Sequence, residues 1–415
     1  MNRVLVAVAV ALLVALAAIG VLAGEEDEAA ERAAPARGAS LERVTGRVEE
    51  VARGVERVRE LEFDRLPRVR VVSSEEAARA SMRELDHYVP RRLQLIEERL
   101  LRILELLPPD ARLRDLVGEA LTEEVAGYYI PRAGTLALVR GGLGGFLAEV
   151  TLAHELTHAL EDQRFGIEPH GASGFLRDRA GADAALREGS ATLAMVDYLV
   201  LTQAGGQELP GDVRGRVLEE LDEVALPASS GLPRYMREAL VFPYAAGARF
   251  VNRIQGRGGW EAVNRAYGDD APVSSEQILH PRKYEAGERP VRVRLGGYRD
   301  ELPEGARRVA RGDVGEFDTA QLLHDANGAR RAEEAAAGWG GSTFELWRLP
   351  GGGDVLVMGW AWDSARDAAE FEAAARLTVE RLESAGAVNG SKEGVAVVLA
   401  PEAPLARRVA RRTLR

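Results

Sequence analysis

The stretch LAHELTHAL, residues 152–160, holds two of the six histidines in the chain, four residues apart, with a glutamate directly after the first. On a helix, residues i and i+4 lie one above the other on the same face. The imidazoles of His154 and His158 can therefore converge on one ion, at the roughly 2.0–2.1 Å typical of Zn–N bonds. Glu155 is rotated away from both, to the side where a bound water would sit and a general base belongs. Leu152, Ala153, Leu156, Thr157, Ala159 and Leu160 carry no charge, so this helix belongs inside a domain. Two buried imidazoles and a carboxylate are costly there unless they have a partner.

A catalytic zinc site needs a third protein ligand and one open position. The better candidate is Glu188, thirty residues past His158 in LREGSATLAM (186–195). It is followed by Gly189, Ser190 and Ala191, small enough to let its helix pack closely on the first. His170, in a loop flanked by Pro and Gly, is the other candidate. Asp162 and Asp183 are placed to stand behind the ligands and orient their imidazoles. The chain contains no cysteine. Disulfides, thiolate ligands and cysteine nucleophiles are thereby excluded, and any metal must be held by His and carboxylate.

Outward from the motif, VAGYYIPRAGTLALV (125–139) reads as two β-prone runs around a turn at Pro131–Gly134. Upstream, PRVRVV (67–72) alternates like a strand, and Ser73 with Glu76 forms a capping box for the next helix. Val44, Val48, Val51, Val55 and Val58 make a helical stripe. Leu95, Ile96, Leu100, Leu101, Ile103, Leu104 and Leu107 mark a helix ended by Pro108-Pro109. Downstream, helices are expected around 184–201, over 236–254 with Pro243 near its start, and over 258–267. After about Pro290 the pattern changes. Strands at TFELWRLP and DVLVMGWAWD, a helix over 365–382, a strand at 394–401 and a basic helix over 404–414 predict a small α+β domain with an antiparallel sheet.

At 415 residues the chain is long enough for two or three domains. Its net charge of −11 argues against a nucleic-acid partner. Val4 to Ala23 carries no charge, with Arg3 before it and GEEDE after it. About twenty such residues can span a bilayer, N-terminus inside, and VLA at 21–23 also suits signal peptidase. The expected division is an anchor or signal peptide (1–23), a tether (24–40), a metal-site domain (41–290) and a C-terminal α+β domain of unassigned role (291–415). The ectodomain is then held at the cell membrane by a single pass, or secreted.

HELTH followed by a distant EG resembles the gluzincin zinc metallopeptidases. FPYAAGARF (242–250) is similar to the P-Y-x-x-G segment of their alanyl-aminopeptidase branch. The resemblance, over roughly Gly127 to Tyr284, implies a mainly helical zincin-like domain with a small sheet before the motif helix, hence an α+β chain. It implies Zn2+ held by His154, His158 and Glu188, with Glu155 as base on the metal's water and Tyr244 stabilising the oxyanion of a peptide substrate. It also implies that the edge strand at Gly127, Tyr128 and Tyr129 pairs with extended substrate. Two departures stand out. The stretch that recognises a free N-terminus in those aminopeptidases is absent, and Thr192 occupies the position of the thermolysin-type aspartate. His280, in SSEQILHPRKY (274–284), is expected at a turn. The rival reading is a non-catalytic envelope protein with a structural metal held by four ligands, and a C-terminal domain that binds a partner.

Overall fold

The computed structural model describes residues 37–123, 127–139, 145–166, 177–203, 214, 215, 218, 231–392 and 394–414. The apolar run at 4–23, most of the expected tether and His170 lie outside these residues. Among the described residues, no helix is long and apolar enough to cross a membrane. The chain is α+β and folds as two units.

The first unit comprises Met1–Tyr88, Arg114–His170 and Asp183–Ala271. Its first described helix, α1 (Arg37–Arg59), buries Val48, Val51 and Val55 against the helix that carries the metal motif. Strand β1 (Arg68–Val72) follows, then α2 (Ser74–Tyr88). The capping box forms as expected: the Glu76 N–H donates to Ser73 Oγ at 3.2 Å and the Ser73 N–H to Glu76 Oε2 at 3.0 Å. After α3 (Arg91–Ile103) and α4 (Leu113–Glu123) comes the hairpin of β2 (Gly127–Ile130) and β3 (Thr135–Val139). Its turn closes at Gly134, whose φ of 54° is the left-handed conformation that favours glycine. The sheet order is β1-β3-β2, with β1 parallel and β2 antiparallel to β3, so β2 is an edge.

Three long helices follow. They are α5 (Gly145–Phe165), α6 (Asp178–Gln203) and α7 (Arg234–Ala266). Helices α5 and α6 are buried along much of their length, with Leu152, Ala153, Leu156, Ala159 and Leu160 of the first and Leu193, Ala194, Val196 and Leu199 of the second in the core. Pro243 lies inside α7, and Gly258 with Gly259 (φ −140° and 64°) breaks that helix into two segments. A Cβ on Gly189 of α6 would collide with the Gly247 carbonyl of α7, and one on Gly247 would collide with the Ala185 carbonyl. The two helices thus meet backbone to backbone.

The second unit comprises Val89–Leu113, Gly171–Ala182 and Pro272–Arg415. It therefore begins earlier than the expected boundary at 290 and recruits two upstream pieces. Ion pairing ties Arg99 of α3 to Asp354, and the Glu383 N–H donates to Glu105 Oε1 at 2.6 Å. Asp178 Oδ1 accepts the Ser275 N–H at 2.8 Å, and its own N–H donates to Asp313 at 2.9 Å. Beyond α8 (Ser275–Leu279) and α9 (Pro281–Glu285) the chain runs through β4 (Arg307–Gly312), α10 (Glu316–Asn327) and α11 (Ala329–Ala336). It continues through β5 (Trp339–Arg348), β6 (Asp354–Trp362), α12 (Ala365–Arg381), β7 (Ala385–Ser391), β8 (Gly394–Ala400) and α13 (Ala403–Thr413). The sheet is antiparallel, in the order β4-β5-β6-β8-β7. Val355, Val357, Val398 and Ala400 meet Leu405, Ala406, Val409 and Ala410 of α13 on one face. Trp360 and Trp362 of β6 pack against Phe371 of α12 on the other. The two strands not foreseen, β4 and β7, are the two edges.

Candidate metal centre

The spacing read from the sequence puts both imidazoles on one face of α5, and α6 brings Glu188 to them. His154 Nε2 lies 3.1 Å from His158 Nε2. Glu188 Oε2 lies 3.2 Å from the first and 3.3 Å from the second. Two ligands at about 2.0–2.1 Å from a tetrahedral ion stand about 3.3–3.4 Å apart, and these three atoms come within about 0.3 Å of that spacing. Among the described residues they form a group of three, not four.

The site is strongly coupled electrostatically. Burial alone would lower the His158 pKa, but the carboxylates of Glu188, Glu155 and Glu161 outweigh it and hold the ring at about 9. Burial works against the Glu188 carboxylate too, yet the two histidines hold it well below the usual range. Glu155 moves the other way. Burial raises its carboxyl, and the fields of His158 and His154 offset only part of that.

Tyr129 organises the edge of the site. Its backbone N–H donates to Glu155 Oε2 at 2.7 Å, and its hydroxyl donates to Asp162 Oδ2 at 2.8 Å. One residue of β2 thus grips α5 at two points seven residues apart. The outward donor of the edge at Tyr129 is given to Glu155, the residue after His154. Gly127 is buried against Leu138 and Ala137, and the Tyr128 ring packs with Val72, Ala77, Ala137 and Val139, on the sheet's inner cluster. Of the three strand residues expected to face substrate, Tyr129 is the one joined to Glu155.

Tyr244 follows Pro243 on α7 and is exposed, its ring stacked on that of His154 with centroids 5.9 Å apart and planes 25° apart. Asp162, expected behind an imidazole, receives the Tyr129 hydroxyl. Asp183 is buried on α6. Five residues ahead of Glu188, it lies about 140° round the helix from that residue. His280 stands where α8 gives way to α9, in the second unit, and its Nε2 meets Glu316 Oε1 at 2.7 Å.

One residue next to the motif was not singled out from the sequence. Glu161, fully buried, accepts from Arg59 Nε at 2.9 Å, Ser190 Oγ at 2.5 Å and the Tyr267 hydroxyl at 2.6 Å. Its sequence signal is an acidic residue seven after His154, on the same face of α5. A second grouping of acidic side chains, Glu276, Glu288 and Asp363, lies in the second unit. The Lys283 ammonium bonds all three, with Glu276 at 2.6 Å and Glu288 at 2.8 Å, so a cation is already supplied there.

A family described as "Domain of unknown function (DUF8575)" matches residues 302–413. None of the curated proteins matches the chain. The crystal structure of a candidate hydrolase with a novel fold, from Chloroflexus aurantiacus, is similar at 16% identity and a TM-score of 0.39. That match covers 66% of this chain and 97% of that one. A likeness of this degree carries neither fold nor function across.

Proposed function

We propose that the first unit is a zincin-type metallopeptidase. On this reading, Zn2+ is held by His154, His158 and Glu188, and the chain hydrolyses peptide bonds outside the cytoplasm. The observation that supports it most is the triangle of three donor atoms with sides of 3.1, 3.2 and 3.3 Å. Three ligands, rather than the four of a structural site, leave a tetrahedral ion one position for chemistry. The apolar run at 4–23 with its charged flanks supports placement at the membrane or beyond it.

A zinc ion bound there supplies Lewis acidity, making a water more acidic and drawing charge onto the scissile carbonyl oxygen. The remaining work belongs to side chains. Glu155 takes a proton from the attacking water on its carboxylate and passes it to the departing amine nitrogen. The Tyr129 N–H holds Oε2, which fixes the carboxylate's orientation and leaves Oε1 for the proton. The raised pKa of Glu155 brings its basicity closer to what proton transfer near neutrality needs. The Tyr244 hydroxyl donates to the carbonyl oxygen as negative charge develops on it.

Metal analysis of the purified full chain, paired with digestion of a mixed peptide library, tests this reading. One zinc per chain is expected, with cleavage abolished by a chelator and restored by added zinc. A chain that binds no divalent metal, or cleaves equally well under chelation, removes the proposal. Tyr244→Phe tests the tyrosine separately. It is expected to lower kcat by about 10²–10³ with KM little changed, the signature of a donor lost only from the transition state. A drop in Tm with unchanged kinetics would assign the ring to packing instead.

A further inference from the structure

Glu161 lies seven residues after His154 and three after His158, so it shares their face of α5, about 20° from His154 in helical phase. Three hydrogen bonds converge on its carboxylate, and each comes from a different element. Arg59 ends α1, Ser190 is on α6 two residues past Glu188, and Tyr267 follows the end of α7. Arg59 reaches onward to Asn264 Oδ1 of α7 at 3.0 Å, its guanidinium 4.1 Å above the Trp260 ring. Arg59, Glu161 and Ser190 are all 0% exposed.

A buried ion pair is a poor source of net stability, because desolvating both charges offsets most of their attraction. Its best-attested use is to fix one arrangement of the elements it joins. Here the elements joined are the two helices that hold the metal ligands. Glu188 and Ser190 are separated only by Gly189, whose backbone rests on Gly247. Helix α6 is therefore held on one side by α7 and on another by the Glu161 carboxylate. Metal–ligand distances tolerate deviations of only about 0.2 Å. A small slide of α6 along α5 would therefore weaken the metal without unfolding anything.

We infer that Glu161 is a positioning residue. Through its bond to Ser190 it sets the placement of α6 against α5, and so tunes the affinity of the His154–His158–Glu188 centre for zinc. This rests on the reading of that centre as a zinc site. Glu161→Gln would leave the buried Arg59 charge without its counter-ion and risks the fold, so milder changes are the useful ones. Ser190→Ala removes the link to α6. Tyr267→Phe removes another hydroxyl from the same carboxylate but leaves the Glu161–Ser190 bond in place. Ser190→Thr retains a hydroxyl.

The experiment is a competition titration of the full chain with Zn2+ against a chelating dye, with thermal melts in excess chelator to compare the metal-free folds. The visible spectrum of the cobalt-substituted proteins reports coordination geometry independently. Ser190→Ala is expected to weaken zinc by about 10-fold or more, as groups behind metal ligands commonly do, and to shift the cobalt bands. Tyr267→Phe should stay within about twofold of wild type, and Ser190→Thr should recover most of the loss. If wild type holds zinc and Ser190→Ala binds it as tightly, or Tyr267→Phe weakens it equally, the positioning role is wrong and Glu161 serves the fold alone. If wild type binds no zinc, the zinc reading fails first and this inference falls with it.

Discussion

Glu155→Gln should retain its zinc and its fold and lose hydrolysis by about 10²–10⁴ in kcat. The amide matches the carboxylate in size, and its oxygen can still accept the Tyr129 N–H that Glu155 Oε2 receives at 2.7 Å. The three ligand atoms are untouched. What the amide cannot do is take a proton from water, so the loss falls on the chemical step and amounts to about 3–5 kcal/mol of activation free energy. Zinc stoichiometry and single-turnover peptide cleavage, measured on the same preparation, separate the two effects. Activity within a few-fold of wild type, at full zinc occupancy, would take the base role away from Glu155 and favour a structural metal.

The other large effect is on the metal itself. His158→Ala leaves two ligands, and Glu188→Ala likewise, so neither variant should purify with zinc. Asp183→Ala, on the same helix as Glu188 and about 140° round it, should retain it. Thermal shift gives a second measure. A ligand that binds only the native state stabilises it by about 2.7 kcal/mol at a hundred times its Kd, so added zinc should raise the Tm of wild type and of Asp183→Ala. It should leave His158→Ala and Glu188→Ala unmoved. Full zinc occupancy in His158→Ala would be incompatible with the site described.

What was legible in the sequence follows from how each feature is encoded. His154, Glu155 and His158 share one helix, where chemistry dictates spacing. The hairpin at Gly127–Val139 and the capping box at Ser73 and Glu76 are equally local. Glu188 was legible through its small neighbours, and the structure gives each a place. Gly189 rests on Gly247, Ser190 bonds Glu161, and Ala191 is buried. The partners of Glu161 were not legible. Arg59 is 102 residues away and Tyr267 106, and no periodic pattern records a single contact across such distances. The central strands β5, β6 and β8 announce themselves by apolar β-branched and aromatic runs. The edges β4 (RRVARG) and β7 (AGAVNGS) do not, because an edge strand is safest when polar or weakly β-forming. The boundary at 290 missed for a similar reason. Val89–Leu113 joins the second unit through Arg99 and Glu105, side chains that look like ordinary helix-surface charges.

The backbone contact of α6 with α7 at Gly189 and Gly247 lies one residue from Glu188 and three from Tyr244. What fixes the reach between Glu188 and Tyr244 is thus a pair of hydrogens, at Gly189 and Gly247, standing where any other residue would carry carbon. Similarity scales treat glycine to alanine as among the gentlest of exchanges. At these two positions one methyl would wedge apart the helices bearing Glu188 and Tyr244. An alphabet of twenty letters is thereby cut to one by atoms that are absent, at places no hydropathy profile or charge count would mark.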